Sequence, residues 1–204
     1  MDLVSLVRNV ERWLGARWWP ARHFEDRYAR LIDPWNCQTS PYELLKTKRT
    51  AEAVLSLRPA GAVLDVGCGE GLLAVELARA GFAVLACDIS PSAVDRARAR
   101  CSGLANARVE QRDVGQQPVV GCFDVIILAE VMYYLGRGRR RRGVFNELVT
   151  ILGDGGSVVV VDPWPESRSM ERALRRRSDL RIVREDIWRD PGRSYAITIY
   201  QKGL

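Results

Sequence analysis

The feature that most constrains the fold is a short apolar segment that runs directly into three glycines. Residues 63–66 read Val-Leu-Asp-Val, and glycines follow at alternate positions, namely Gly67, Gly69 and Gly71. A helical pattern of apolar residues then runs from Leu72 to Ala78. This order predicts a buried strand, a tight turn and a helix. Glycine permits positive φ angles and a close approach of a ligand to the backbone, and the start of a helix offers unpaired N–H groups. We therefore expect the turn to hold a polar ligand.

A second acid belongs to the same pattern. Residues 82–87 form an apolar segment that predicts the next buried strand, and Asp88 follows it about twenty residues after the turn. In the Rossmann arrangement an acid at this distance hydrogen-bonds a ribose hydroxyl. A nicotinamide site favours G-x-G-x-x-G, but Leu72 stands at the position of its third glycine. The D-x-G-x-G-x-G arrangement that begins at Asp65 instead resembles motif I of the class I S-adenosylmethionine (SAM) methyltransferases.

The rest of the chain continues the alternation of strands and helices. Helices are predicted after Ser90-Pro91, from the basic segment 136–143 up to Leu152, and over 166–178, and strands over 107–114, 123–128, 157–161, 180–188 and 195–201. The last two strands are expected to pair like a hairpin, with one of them antiparallel to the rest. We predict an α/β, Rossmann-like fold of the class I methyltransferase type, with a seven-stranded, mostly parallel sheet and an N-terminal helical extension. Residues 1–58 are expected to form a cap or lid, and residues 59–204 the SAM-binding core.

Two amphipathic segments make up much of the N-terminal extension. Residues 3–14 predict a helix, and a second short helix aligns four apolar residues, Phe24, Tyr28, Leu31 and Ile32. A cap packed on the domain is favoured over a helix on a membrane surface, because acids interrupt the basic face. If the cap acts as a lid, one of three tryptophans is expected to face the substrate: Trp13, Trp18 or Trp19. His23 is then a candidate catalytic residue, although a lone histidine among charges is more often on the surface.

A further helix connects this extension to the glycine turn. It is expected to begin at Pro41, with a capping box between Ser40 and Glu43. Trp35 and Tyr42 lie just before this helix and at its start. They either anchor the helix to the core or offer an aromatic face to the sulfonium of SAM, and the sequence leaves both possibilities open.

More candidate site residues follow strands later in the chain. Asp113 and Val114 stand at the end of the third predicted strand, and Glu130 comes directly after the fourth, which is apolar enough to be buried on both faces. Ligands of doubly wound sheets bind beyond the carboxyl ends of the strands, where the strand order reverses. Glu130 and Tyr133 or Tyr134 are therefore expected to border the reacting atoms, although either tyrosine, and Tyr134 above all, would equally pack on the following helix.

Several short motifs together resemble the nodulation protein S family of small-molecule N-methyltransferases. They are D-P-W at 33–35, T-S-x-Y-E at 39–43, Lys46, the glycine turn and A-E-V-M-Y-Y-L at 129–135. The resemblance covers residues 24–165. It implies that Lys46 lies near the carboxylate of SAM, with Lys48 or Arg49 as alternatives. Leu44-Leu45, where that family tends to have polar residues, and the N-terminal extension depart from the family and leave the substrate open.

The resemblance also implies a set of cofactor contacts. Asp113 would bind the adenine amino group and the backbone N–H of Val114 a ring nitrogen, although an acid at a strand end is also common as an ordinary loop residue. The expected cofactor is SAM, with S-adenosylhomocysteine as its product. The cofactor-binding candidates are Trp35, Tyr42, Lys46, Asp65, Gly67, Cys68, Gly69, Asp88, Ile89, Asp113, Val114, Ala129 and Glu130.

The catalytic candidates are Glu130, Tyr133 and His23. An amine must be neutral to attack the methyl group, and Glu130 is the best candidate to accept its proton or to attract the protonated amine. The Ala129–Met132 segment differs from the N/D-P-P-Y/W motif of enzymes that methylate the amino groups of adenine or glutamine. Asp162-Pro163-Trp164 lies one strand later and would form a wall of the substrate pocket. The sequence shows no metal-ligand cluster.

Charge and composition limit the partners and the compartment. The net charge is +6, and only three of the 31 basic residues are lysines. Residues 136–143 are the most basic segment, but they lack interleaved aromatic residues and read more simply as a solvated helix start, so nucleic acid is not favoured. Five cysteines without a C-x-x-C pattern suggest free thiols. No apolar run is long enough for a membrane helix or an export signal, so we expect a cytoplasmic protein.

These observations predict methyl transfer from SAM to a small-molecule acceptor. An amine nitrogen of an amino sugar or a specialised metabolite is the favoured target. The alternatives are methyl transfer to a hydroxyl, a carboxyl or a tRNA, and a non-catalytic role as a SAM-binding partner protein. The sequence names neither the acceptor, nor the number of methyl groups transferred, nor the oligomeric state.

Overall fold

A computed structural model of the chain describes residues 20–58, 60–136, 138–190 and 193–203. The helices are α1 (Ala21–Arg30), α2 (Pro41–Leu57), α3 (Leu72–Arg79), α4 (Pro91–Arg100), α5 (Arg139–Thr150), α6 (Ser167–Met170) and α7 (Arg172–Arg175). The strands are β1 (Ala62–Val66), β2 (Ala83–Asp88), β3 (Ala107–Gln111), β4 (Phe123–Ala129), β5 (Leu152–Pro163), β6 (Leu180–Trp188) and β7 (Tyr195–Lys202). The helix expected over residues 3–14 and the three N-terminal tryptophans, Trp13, Trp18 and Trp19, lie outside the described residues.

The seven strands form one sheet in the order β3-β2-β1-β4-β5-β7-β6. Strands β1 to β5 pair in parallel, and β7 runs antiparallel to both of its neighbours. The predicted mostly parallel sheet with one antiparallel strand is confirmed. The strand order reverses between β1 and β4, so the carboxyl ends of these two strands flank the crevice in which ligands of such sheets bind.

Helices cover both faces of the sheet and give it two hydrophobic cores. One core packs Val54 of α2 and Leu77 of α3 against the sheet, and the other packs Phe145 of α5. In β4, Ile127 belongs to the first core and Ile126 to the second, and both are fully buried. The expected burial of this strand on both faces is confirmed, and it leaves the strand's carboxyl end as the place where a charged residue can reach a cavity.

Helix α1 is fastened to α4 by polar side chains. The carboxylate of Glu25 accepts hydrogen bonds from the hydroxyl of Ser90 (2.7 Å), the backbone N–H of Ser92 (3.0 Å) and the Ser92 hydroxyl (2.5 Å). The guanidinium of Arg96 donates to the carbonyls of Tyr28 (2.6 Å) and Leu31 (2.9 Å). These bonds hold α1 beside the carboxyl edge of the sheet.

Three local expectations differ from the structure. The expected apolar face of the second short helix is cut short, because α1 ends at Arg30 and leaves Leu31 and Ile32 54% and 87% exposed. The capping box is absent, because Glu43 forms ion pairs with Lys46 and Arg193 instead of capping α2. The helix expected over 166–178 consists of the two short helices α6 and α7. Within the described residues, no helix is both long and apolar enough to span a membrane.

A glycine substitution tests how tightly the turn packs. Gly71 has a φ of +78°, and a Cβ there would lie 3.0 Å from the Cβ of Ala97 and 3.1 Å from its Cα. Gly103 is a matched control, because its φ is +85° and its Cβ would meet nothing within 4 Å. We expect both alanine variants to lose about 1–2 kcal/mol of folding stability, because alanine is unfavourable in the left-handed conformation. We expect Gly71→Ala to lose about 1–3 kcal/mol more through overpacking, measured by urea unfolding. Equal losses would contradict the close approach of α4.

Candidate functional site

Two adjoining cavities lie at the carboxyl ends of the central strands. Their volumes are about 120 Å³ and 160 Å³. Four residues line both cavities and form the boundary between them: Tyr28, Gly67, Glu130 and Tyr134. We call them the first and the second cavity. Together they occupy the crevice where the strand order reverses, which is the binding position expected for this type of sheet.

The glycine turn, residues 67–71, borders the second cavity, and its first residue, Gly67, borders both. The backbone N–H groups of Gly67 and Cys68 both donate to the carbonyl of Cys87, at 2.8 and 3.0 Å. Gly67 has a φ of +71°, and a Cβ at this position would lie 2.8 Å from a methyl group of Val131. A Cβ at Gly69 would lie 2.9 Å from the hydroxyl of Tyr28. The walls therefore approach the turn so closely that only glycine fits without displacing them.

Asp88 fixes the turn from the end of β2. Its Oδ2 accepts a hydrogen bond from the N–H of Gly69 (2.9 Å), and its Oδ1 accepts one from the N–H of Ser90 (2.9 Å). Burial raises the pKa of this carboxyl, and the hydrogen bonds from the backbone act in the opposite direction. Each carboxylate oxygen has a second lone pair, so Asp88 can still accept hydrogen bonds from ligand hydroxyls in the first cavity.

Asp65 is a buried carboxyl that lacks a complete set of partners. It lines the second cavity at the end of β1, it is 2% exposed, and its Oδ2 has no hydrogen-bond partner. Burial and, to a lesser degree, the charge of Asp88 raise the pKa of Asp65 to about 7. Because buried polar atoms are nearly always hydrogen-bonded, the unpartnered oxygen indicates a place for a ligand donor.

One end of the first cavity lies just beyond the carboxyl end of β3. Ile89, Asp113 and Val114 line it. The carboxylate of Asp113 accepts hydrogen bonds from the N–H of Gly115 (2.9 Å) and from the side chain of Gln116 (2.6 Å), which fixes its orientation. A planar ligand in this position meets one oriented carboxylate and the apolar side chains of Ile89 and Val114.

Glu130 is the centre of a charged cluster in the second cavity. Its Oε1 lies 2.5 Å from the Nζ of Lys46, and its Oε2 accepts a hydrogen bond from the hydroxyl of Tyr133 (2.8 Å). Lys46 is 6% exposed and also pairs with Glu43 at 2.8 Å. Glu130 has a φ of +56°, a left-handed conformation that is uncommon for residues other than glycine and is often found at functional sites.

Twelve of the thirteen cofactor-binding candidates line one or both cavities, and Tyr42 does not. The Tyr42 hydroxyl donates to the carbonyl of Arg193, and its ring packs edge-on against Tyr195 at 5.7 Å, so it anchors α2 to the end of the sheet. Trp35 lines the second cavity and donates to the hydroxyl of Tyr28 (3.0 Å). His23 lines neither cavity and packs against Phe24.

Sequence reasoning missed the part that α1 plays in the site. Tyr28 is 5% exposed and lines both cavities, and Phe24 lines the first one. Tyr134, expected to pack on the following helix, also lines both cavities and packs edge-on against Phe24 at 4.8 Å. The spacing of Phe24 and Tyr28 marked them as one helical face, but nothing in the sequence says that this face meets the glycine turn.

Within the described ranges, no three His, Cys, Asp or Glu side chains converge closely enough to hold a metal ion. The residues present suit an organic cofactor that combines hydroxyl groups with a cationic group. Asp88 can accept hydrogen bonds from the hydroxyl groups, and the unpartnered oxygen of Asp65 can pair with the cationic group. Gly67 lines both cavities and Gly69 the second, so the backbone of the turn borders the space for such a molecule.

Comparison with known proteins agrees with this geometry. The profile of the nodulation protein S (NodS) family matches residues 22–169. Nodulation protein S of Rhizobium tropici is 32% identical over 127 residues, which are 62% of this chain and 53% of that protein. A ubiquinone biosynthesis O-methyltransferase of Xanthomonas axonopodis pv. citri is 34% identical over 117 residues, which are 54% of this chain and 49% of that protein. The chain thus spans about half the length of these curated relatives.

Solved structures share the fold over nearly the whole chain. The N-methyltransferase NodS from Bradyrhizobium japonicum WM9, in complex with S-adenosylhomocysteine, superimposes with a TM-score of 0.81 and 21% identity, and covers 90% of this chain and 98% of that one. The magnesium protoporphyrin IX methyltransferase from Synechocystis PCC 6803, with bound SAM, gives a TM-score of 0.67 and 18% identity over 100% of this chain and 98% of that one. The chain has the class I methyltransferase fold and belongs to the nodulation protein S family of SAM-dependent methyltransferases.

Proposed function

We propose that the protein transfers a methyl group from SAM to an amine nitrogen of a small molecule. The observation that carries this proposal is the position of Glu130, a carboxylate that lines both cavities at the point where the strand order reverses. Membership of the NodS family supports a nitrogen target. The cofactor would span both cavities, with its nucleoside in the first cavity and its methionine portion beside the glycine turn in the second, and the acceptor would enter the second cavity beside Glu130.

Each end of the cofactor has residues that suit it. Asp88 would accept hydrogen bonds from the ribose hydroxyls, and Asp113 and the N–H of Val114 would meet the adenine edge. Across the glycine turn, Asp65 would pair with the ammonium group of the methionine portion and Lys46 with its carboxylate. When bound, SAM supplies a methyl group that is already activated on a sulfonium, so alignment and exclusion of water are the main tasks left to the protein.

Glu130 would act on the acceptor. A protonated amine is attracted to its carboxylate, and the amine must lose a proton before its nitrogen has a lone pair for the attack. Lys46 and Tyr133 each hold one carboxylate oxygen, so the side chain is oriented before the acceptor arrives. Tyr133 and Trp35 line the same cavity and would help to exclude water from the reacting atoms.

A second candidate function is methyl transfer to oxygen. The similarity to a ubiquinone biosynthesis O-methyltransferase favours it. Incubation with isotope-labelled SAM and matched pairs of amine and alcohol acceptors, followed by mass spectrometry, distinguishes the two targets. Label on nitrogen supports our proposal, and label on oxygen alone would replace it. S-adenosylhomocysteine binding without any transfer would favour a non-catalytic partner protein.

We also propose that residues 1–58 form a cap on the core and that α1 acts as its lid over the cofactor. The bonds from Glu25 and Arg96 and the position of Tyr28 on both cavities support this role. The five cysteines are free thiols, which supports our proposal of a reducing, cytoplasmic environment.

Replacement of Asp88 tests the ribose contact. In Asp88→Asn we expect affinity for S-adenosylhomocysteine to fall by about 1–3 kcal/mol, because the charged acceptor of the ribose hydroxyls is lost. Isothermal titration calorimetry measures this change. Asp95→Asn, an exposed acid on α4, is the control and should bind like the original protein. Undiminished affinity in Asp88→Asn would contradict the assignment.

Asp65 predicts a pH dependence of cofactor binding. Its raised pKa of about 7 means that the free protein keeps this carboxyl protonated below that pH, and only the ionised form pairs with an ammonium group. Affinity for S-adenosylhomocysteine should therefore rise as the pH rises through about 7, with release of a proton on binding at lower pH. Asp65→Asn should bind more weakly above this range and lose the rise. A rise that persists in Asp65→Asn would assign the titration to another group.

Replacement of Glu130 separates catalysis from cofactor binding. We expect Glu130→Gln to lower turnover by about a hundredfold or more, because an amide cannot accept the proton, while affinity for S-adenosylhomocysteine changes much less. Turnover is measured as S-adenosylhomocysteine formation with an accepted amine. Glu147→Gln, an exposed site on α5, controls for the loss of one negative charge. Full activity of Glu130→Gln would remove this residue as the base.

A further inference from the structure

A third and larger cavity lies next to the two cavities of the candidate site. It is a groove of about 940 Å³ between α5 on one side and α6 and α7 on the other. Five arginines line it, against a single acid, Glu166: Arg141, Arg142, Arg172, Arg176 and Arg177. We call it the arginine groove. Its strong positive charge is not explained by the binding of SAM.

Two of these arginines build the groove. Arg141 donates to the carbonyls of Gly136 (2.8 Å) and Met170 (3.3 Å), and so joins α5 to the end of α6. Arg177 donates to the side chain of Asn146 (2.5 Å) and pairs with Asp179. These bonds hold the two walls together and fix the spacing between them.

The side chains of the other three arginines make no such bonds to described residues. Arg142, Arg172 and Arg176 are exposed, and among the described residues no carboxylate lies within ion-pair distance of any of them. Some arginines elsewhere have carboxylate partners, as in the pairs Arg96–Glu70 (2.6 Å) and Arg112–Glu110 (2.7 Å), and what distinguishes these three is that they line one groove. Three uncompensated guanidinium groups in one concave surface create a positive potential that attracts anions.

The arginine groove shares one lining residue with the second cavity. Tyr133 lines both the groove and the second cavity, and its hydroxyl donates to Glu130. A molecule bound beside Glu130 that reached past Tyr133 would enter the groove. Guanidinium groups bind phosphate and carboxylate oxygens through paired N–H donors, which makes them suited to such an extension.

We propose that the methyl acceptor is an anionic amine, and that its phosphate or carboxylate group binds Arg142, Arg172 and Arg176 in the arginine groove. This inference rests on the proposed function and adds the charge class of the substrate to it. A small molecule suits the groove better than single-stranded nucleic acid does. Of the aromatic residues that line the groove, Phe145 is 1% exposed, so Tyr133 alone offers a face for stacking within the described part of the chain.

The test compares two triple variants that lose the same charge. The first is Arg142→Gln/Arg172→Gln/Arg176→Gln, and the control is Arg22→Gln/Arg79→Gln/Arg189→Gln, which changes exposed arginines outside all three cavities. Calorimetry measures the binding of inorganic pyrophosphate and of citrate to protein saturated with S-adenosylhomocysteine. We expect the original protein and the control to bind at least one anion, and the groove variant to bind it more than about tenfold more weakly. Preference for pyrophosphate assigns a phosphate, and preference for citrate a carboxylate.

Several results would overturn the proposal. The first is that the original protein binds neither anion, and the second is that both triple variants bind the anions equally well. The third is that neither small anion binds, while mixed tRNA binds the original protein and not the groove variant. Failures of the two proposals remain distinguishable. Intact binding of S-adenosylhomocysteine without groove-dependent anion binding rejects the groove alone. Groove-dependent anion binding with methylation only at oxygen rejects the amine target alone.

Discussion

The attachment of the glycine turn to the end of β2 is the constraint on which the rest of the site depends. Backbone N–H groups of Gly67 and Cys68 bind the carbonyl of Cys87, and Gly69 binds the carboxylate of Asp88. A glycine-rich segment loses much conformational entropy on folding, and these hydrogen bonds offset part of that loss. Because both acceptors belong to one strand, the pairing of β1 with β2 sets the shape of the turn.

The same turn explains why much of the site could be predicted from sequence. Glycine spacing and an apolar run define β1, the turn and α3, and the carboxyl ends of parallel strands meet at one edge. Candidates as far apart as Asp65, Asp113 and Glu130 were therefore expected together, and the structure brings them to adjoining cavities. The apolar run over 125–129 in β4 made the charged residue after it conspicuous.

Contacts between distant side chains could not be predicted in this way. Ser40 and Glu43 have the local spacing of a capping box, but Glu43 pairs with Lys46 and with Arg193, which lies 150 positions later in the chain, just before β7. Likewise, periodicity showed that Tyr28 belongs to an apolar helical face, whereas its place above Gly69 follows from bonds between α1 and α4. Tertiary packing decides such partners, and local sequence carries no record of it.

The attachment of α1 to α4 has a consequence for the exchange of small molecules. Tyr28 is the buried residue of this helix, and Glu25 and Arg96 join it to α4 through side-chain hydrogen bonds rather than through the backbone ladder of the sheet. Because these bonds lie outside the strand pairing, detachment of α1 would be a local opening, which costs less free energy than global unfolding. With α1 as the proposed lid, a nucleoside would exchange while all seven strands stay paired, and its rate of exchange would be set separately from the stability of the sheet.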